Sequence, residues 1–213
     1  MDFAISYSGG KDSALALYRM IQKGHTPLAM ITTIDPEQGR SWFHGIQDKL
    51  LWAVADSLGI PLISCNSTPE TYNESFVNAL KEARAMGARA CVFGDIDIDD
   101  HRIWNEKRCV KANLACTLPL WQNDREAVLQ ELLSAGFKAL IKIVDTDRLD
   151  ESFLGQTLTN ELIDRIRATG ADACGENGEY HTLVYDGPLF SQPVPIKLGT
   201  IIDLGRYKAI DIS

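Results

Sequence analysis

Phe3-Ala4-Ile5-Ser6-Tyr7-Ser8-Gly9-Gly10-Lys11-Asp12-Ser13-Ala14-Leu15-Ala16-Leu17-Tyr18 runs from an apolar strand, through a glycine pair, into a helical pattern. Two adjacent glycines let a chain wrap closely around an anion with several N–H groups turned inward. The helix that follows adds unpaired N–H groups and a positive dipole end. Ser8 and Ser13 carry hydroxyl donors, Lys11 a point charge, and Asp12 a carboxylate for a divalent cation or for capping the helix. The stretch predicts a phosphate cradle at the carboxyl end of a first strand.

Counting separates this loop from two commoner ones. A Walker A loop begun at Gly9 requires glycine at 14, where Ala14 stands, and a dinucleotide fingerprint requires glycine where Lys11 stands. The spacing instead resembles the SGGxDS signature of the PP-loop ATP pyrophosphatases. Membership implies that ATP is cleaved between its α and β phosphates and that residues 8 to 13 grip the departing pyrophosphate.

Downstream, strand and helix alternate. Pro27 to Ile34 reads as a second strand, Phe43 to Leu58 as a helix stopped by Gly59, and Ile60 to Cys65 as a third strand. Pro69 to Met86 reads as a helix capped by Thr68, followed by a strand from Ala90 to Phe93. Repeated βα units of this kind predict an α/β fold with a doubly wound parallel sheet and a ligand crevice at the strands' carboxyl ends. Gly94 and Asp95, closing the fourth strand, should open onto the same crevice as Ser8. A helix over 100–113, a strand over 115–118, a helix over 124–135, a strand over 139–144 and a helix over 157–168 follow. From Cys174 to Ser213 apolar residues alternate between turns, which predicts a smaller C-terminal β-rich lobe. We divide the chain into a nucleotide-binding domain, 1–118, and a substrate-recognition lobe, 119–213.

Composition narrows the classes of function. The chain has 213 residues, 45% of them hydrophobic, and a net charge of −8. No apolar run approaches the roughly 20 residues that span a bilayer, and no leader pattern precedes the first strand, so a cytoplasmic protein is expected. Strong acidity argues against nucleic acid as a partner, with Lys107, Arg108 and Lys111 the only small basic patch. The five cysteines contain no C-x-x-C pair, so neither a zinc site nor a disulfide framework is expected.

A second dense cluster, Gly175-Glu176-Asn177-Gly178-Glu179-Tyr180-His181-Thr182-Leu183-Val184, places two carboxylates and a histidine in a polar loop entering a strand. Such a loop suits a cation, a substrate amine or an attacking nucleophile. SGGKDS together with GENGEYHTLVYDGPLF resembles the diphthine-ammonia ligase family, which carries GE-x-GE-[FY]-x-T in its C-terminal part. Phe93 to Ile96, Pro119 to Trp121, Gly136 to Ala139 and Phe153 to Gly155 are similar to the same family.

The resemblance implies an adenine nucleotide α-hydrolase-like fold and an ATP-dependent ligase. A carboxylate would be adenylated, with AMP and pyrophosphate as products, and amidated by ammonia or ammonium. The implied acceptor is diphthine, a modified histidine on a translation elongation factor. Lys11 with Ser8, Gly9, Gly10, Asp12 and Ser13 would hold phosphates, and Asp12 with Asp95 would hold Mg2+. Glu176, Glu179 or His181 would take the proton from ammonium, Glu179 being preferred.

Thr32 and Thr33, at the end of the second strand, are expected to frame the adenine, with His44 either over the ring or packed at a helix start. Gly94 completes the nucleotide set. Asp97 and Asp99 read as a solvated loop and helix N-terminus, Trp104 and Trp121 as core, and Arg102 with Glu106 as either a surface ion pair or part of the site. The rival functions are a PP-loop tRNA-modifying enzyme and an ATP- or AMP-sensing protein without turnover; a homo-oligomer is compatible with all three.

Overall fold

A computed structural model describes the whole chain, Met1–Ser213. Strand β1 (Asp2–Ser6) sets the layering through its twofold period. Phe3 and Ile5, with Tyr7 beyond, turn to one face and join the cluster that contains α1 (Lys11–Gln22) and α2 (Asp48–Leu58). Ala4 turns to the other face, with α3 (Tyr72–Ala85) and α4 (Asp99–Lys111). Small residues on that face, Ala4, Ala29 and Cys91, let Phe76 and Leu80 of α3 lie close to the sheet. Each large apolar side chain so buried contributes about 1.5–3 kcal/mol.

The first sheet also contains β2 (Thr26–Asp35), β4 (Leu62–Asn66), β5 (Ala90–Val92) and β6 (Ala115–Thr117). Its parallel strands run β4-β2-β1-β5-β6, and the short β3 (Arg40–Ser41) pairs antiparallel with the end of β2. Chain order reverses between β1 and β5, the switch point at which doubly wound sheets open a ligand crevice. Gly94, just past β5, lies against the first turn of α1. A Cβ there would stand 2.7 Å from the Asp12 carbonyl carbon.

The second sheet is antiparallel, in the order β8-β7-β10-β9, built from β7 (Lys138–Asp145), β8 (Tyr180–Asp186), β9 (Leu198–Leu204) and β10 (Tyr207–Ile212). Helix α5 (Arg125–Ser134) packs Val128, Leu129 and Leu132 into the cluster shared with α1, and α6 (Asn160–Ala168) adds Leu162, Ile163 and Ile166. One apolar cluster therefore runs from Phe3 to Ile212 through both sheets. No helix is long and apolar enough to cross a membrane.

Three predicted helix starts move, the last of them to Asn160, because Thr159 caps α6 and Thr157 bridges to Leu140. Residues 42 to 44 form a turn after β3, Gln47 bridges back to Arg40, and α2 begins at Asp48, because Gly45 takes a left-handed φ of +58° that ends helical geometry. The aromatic spacing of Trp42 and Phe43 belongs to that turn, where Trp42 Nε1 donates to Ser67 Oγ at 3.0 Å. Helix α3 begins at Tyr72 with Thr71 at the capping position, since Thr68, held before Pro69, bonds the Thr71 hydroxyl through its own N–H at 2.9 Å.

Candidate active site

The glycine pair is required by contacts as well as by backbone. Gly9 has a φ of +84°, and a Cβ on it would meet Ile46 Cδ1 at 2.5 Å; a Cβ on Gly10 would meet His44 Cε1 at 2.4 Å. Ser8 Oγ accepts the Gly10 N–H at 3.2 Å, and Ser13 Oγ donates to the Gly10 carbonyl at 2.9 Å, so both serines brace the turn. The first-turn N–H groups of α1 lack intrahelical acceptors and face the switch point.

Strand β8 closes over this loop from the far end of the chain. Val184 N–H donates to Gly9 O at 2.8 Å, Lys11 N–H donates to Thr182 Oγ1 at 3.0 Å, and His44 Nδ1 bonds Thr182 O at 2.9 Å. The two sequence clusters are one site. Lys11 Nζ donates to both Asp12 oxygens, at 2.9 and 2.8 Å, and to Glu176 Oε1 at 3.4 Å. It is 6% exposed, and the Tyr180 ring lies 5.9 Å away.

A model of the diphthamide synthase N-terminal domain matches residues 1–116, and one of the C-terminal domain matches residues 124–206. The chain belongs to the diphthamide synthase family. It is 26% identical to the diphthine–ammonia ligase of Danio rerio, over 89% of this chain and 84% of that protein. It is 26% identical to the Homo sapiens diphthine–ammonia ligase, over 95% and 85%. The Schizosaccharomyces pombe protein of that name is 25% identical over 88% of this chain but only 34% of its own length. Among solved structures, a predicted subunit of tRNA methyltransferase from Methanocaldococcus jannaschii gives a TM-score of 0.45 at 16% identity, over 86% of this chain and 96% of that one.

In this diphthamide synthase family member the charges around Lys11 determine one another. Burial opposes the lysine's charge, yet Asp12 and Glu176 outweigh it and hold its pKa well above the ordinary lysine range. Glu176 is pushed up to about 7, first by burial and then by Asp12, with Lys11 pulling the other way. Both histidines are held neutral. Burial lowers His181 to about 4, with Lys11 adding to it; burial and the neighbouring His181 ring lower His44 to about 3.

Glu179 is almost wholly buried and turned into its own loop, where its oxygens accept the N–H groups of Asp172 at 3.3 Å and Asn177 at 3.0 Å. It shapes the loop, while Glu176 is the carboxylate that reaches Lys11. Asp95 is likewise occupied elsewhere, bonded to His101 Nδ1 at 3.0 Å and Asn105 Nδ2 at 2.7 Å. The donor atoms that converge with Asp12 belong to Glu176 and Cys174, all within 4.8 Å of one another. Burial pushes the Cys174 thiol up to about 12, so it stays protonated. The two carboxylates are the donors that suit a hard cation such as Mg2+.

Other expected residues fall into narrower parts. His44 packs between Gly10 and β8, with its Nδ1 on the Thr182 carbonyl. The Thr32 hydroxyl donates to Tyr7 O at 2.6 Å and is buried, and the Thr33 carbonyl accepts the Trp42 N–H at 3.2 Å. Trp104 and Trp121 are half-buried, Trp104 against Phe76, and Arg102 forms an ion pair with Glu106 at 3.3 Å. Lys142 was passed over in the sequence analysis, its signal being a single charge inside the otherwise apolar stretch Ala139-Leu140-Ile141-Lys142-Ile143-Val144.

Proposed function

We propose that the protein is an ATP-dependent ligase that joins ammonia to the carboxylate of diphthine, the reaction for which its curated relatives are named. The observation that carries this reading is the meeting of the anion cradle at 8–13 with a carboxylate loop supplied by β8, through Lys11 N–H to Thr182 Oγ1 and Lys11 Nζ to Glu176. A cradle alone binds a nucleotide. A second carboxylate with a pKa near 7 beside it supports a proton transfer during turnover.

In this reading a carboxylate oxygen of the acceptor attacks the α-phosphorus of ATP. The bond from that phosphorus to the bridging β oxygen breaks, and pyrophosphate leaves into the cradle, held by the Lys11 ammonium, the Ser8 hydroxyl and the N–H groups of Asp12 and Ser13 in the first turn of α1. The acyl-adenylate that results has AMP as a good leaving group. Ammonia nitrogen then attacks the acyl carbon, AMP departs, and Glu176 accepts the proton that ammonium must lose. Asp12 would hold Mg2+, which when bound would supply charge neutralisation on the phosphates. Lys11 keeps its charge throughout, and His44 holds β8 against Gly10, so the loop needs no rearrangement as charge develops.

The division into a nucleotide domain to about residue 118 and an acceptor lobe beyond it belongs to the same proposal, as do a translation elongation factor as acceptor and the cytoplasm as compartment. Incubation with Mg-ATP, ammonium and an elongation factor bearing diphthine tests it. AMP and pyrophosphate in equal amounts, dependent on both co-substrates, are expected; ADP and phosphate would contradict it.

A further inference from the structure

Four carboxylate or ammonium side chains are buried: Lys11, Lys142, Asp145 and Glu179. Three have charged or multiple N–H partners within the protein. Lys11 has Asp12 and Glu176, Asp145 has Arg206, and Glu179 has the N–H groups of its loop. Lys142, 1% exposed, has a single partner, the Ile210 carbonyl at 3.2 Å, for three N–H donors. No carboxylate lies within ion-pair distance of it. Asp211, the nearest by its effect, is taken by Arg40 at 2.8 Å and by Gln47 at 3.1 Å.

The backbone brings this lysine to its place deliberately. Ile141 pairs with Thr182 and Ile143 with His181, so Lys142 is the extra residue of a bulge opposite the motif that closes the phosphate cradle. The bulged residue lines a cavity of about 380 Å3 between the β3–α2 turn and the second sheet. Trp42, Phe43, Ile202 and Tyr207 form apolar walls, and His181 is shared between the cavity and the cradle side. The other charged wall residues are already engaged: Asp35 accepts the N–H groups of Glu37 and Gln38, and Arg40 binds Asp211 and the Gly45 carbonyl.

We propose that this cavity is the acceptor pocket and that Lys142 binds the acceptor's carboxylate there, next to the cradle in which ATP is cleaved. The proposal rests on the ligase reading above and names its substrate subsite. A buried cation in an apolar cavity, with two donors to spare, takes an anion on an apolar stem, and a carboxylate supplies two acceptor oxygens. Lys142 Nζ lies 3.7 Å from where a Cβ on Gly45 would stand, and the adjacent His44 touches the cradle at Gly10. Lys142 and Lys11 both act on His44. Lys142 and the loop that holds the phosphates thus touch the same short turn, at Gly45 and at His44.

The test compares 4-(imidazolyl)butanoate with its neutral amide, 4-(imidazolyl)butanamide, by calorimetric titration into the wild-type protein, Lys142→Met and Lys142→Gln. Wild type is expected to prefer the acid by about tenfold, and both variants to lose that preference while binding a non-hydrolysable ATP analogue as before. Equal or undetectable binding of acid and amide by wild type, or a preference kept by a folded variant, overturns the assignment. With the diphthine-bearing factor as substrate, Lys142→Met should raise the acceptor KM by about tenfold and leave the ATP KM within about twofold. If wild type forms no AMP with that factor the ligase reading fails, and the acid-to-amide ratio still decides Lys142.

Discussion

Lys11 and Lys142 are both buried lysines, on either side of His44, and burial acts on them alike; their surroundings send their pKa values in opposite directions. Lys11, facing Asp12 and Glu176, is held well above the lysine range, whereas Lys142, facing a carbonyl and cavity walls, falls to about 8 chiefly through desolvation, with Arg40 adding to it. The difference teaches where the anions are. Lys11 is neutralised within the protein and stays charged to steady phosphates, while Lys142 waits for an anion from outside.

The largest expected effect comes from breaking the neutralised partner. Lys11→Met should lower turnover about a thousandfold, measured as pyrophosphate release, because the cradle loses its one fixed positive charge. It should also destabilise the fold by about 3 kcal/mol in urea titration, since Asp12 and Glu176 would then face each other without a cation.

Glu176→Gln comes next, with turnover reduced about a hundredfold. Wild-type kcat/KM should rise with pH through about 7 as Glu176 ionises, and the variant should lose that limb. Stability moves the other way. A carboxyl raised from its ordinary 4.5 to about 7 favours the folded state below 4.5 and loses that contribution as pH climbs through 7. The variant should therefore match or exceed wild type in stability at pH 8.

Lys142→Met should carry the opposite sign from Lys11→Met, raising stability by about 2 kcal/mol at pH 7, because an unpaired buried charge is replaced by an apolar chain of similar length. A lysine lowered from 10.5 to about 8 favours folding fully above 10.5 and loses that contribution as pH falls through 8. Wild-type stability should accordingly climb between pH 8 and 10.5 more steeply than that of the variant. If both lysine variants destabilise equally, the contrast between the two sites is broken.

An effect on stability alone concerns the histidine between them. Folded-state values of about 3 for His44 and about 4 for His181, against an ordinary 6.5, give stability that is full above 6.5 and lost as pH falls toward 4. The loss is about 1.4 kcal/mol per pH unit for each imidazole. His44→Gln should halve that slope in thermal melts between pH 5 and 6.5.

The cradle and the parallel sheet were legible because SGGKDS has one backbone meaning when it stands between an apolar strand and a helix. The GENGEYHT loop stood out in the sequence as a dense polar cluster, though which of its carboxylates reaches Lys11 did not. Glu176 and Glu179 are three residues apart, and only the fold of the loop turns one inward to bind its own N–H groups. The surroundings of Asp95 were hidden for a related reason, since His101 and Asn105, one turn apart on α4, bond its oxygens only in the fold. The start of α2 escaped because aromatic spacing at 42 to 44 imitates a helical face until Gly45 interrupts it. Lys142 was visible as a charge in an apolar strand, but a bulge that re-aims one side chain leaves no mark in a period of two.

The most direct measurement of the central claim is the fate of a carboxylate oxygen. With an acceptor whose carboxylate is labelled with 18O, in a reaction with ATP and ammonium, one labelled oxygen should appear in the phosphate of the released AMP, carried there by the acyl-adenylate. Label in inorganic phosphate, or none in AMP while amide accumulates, would contradict it.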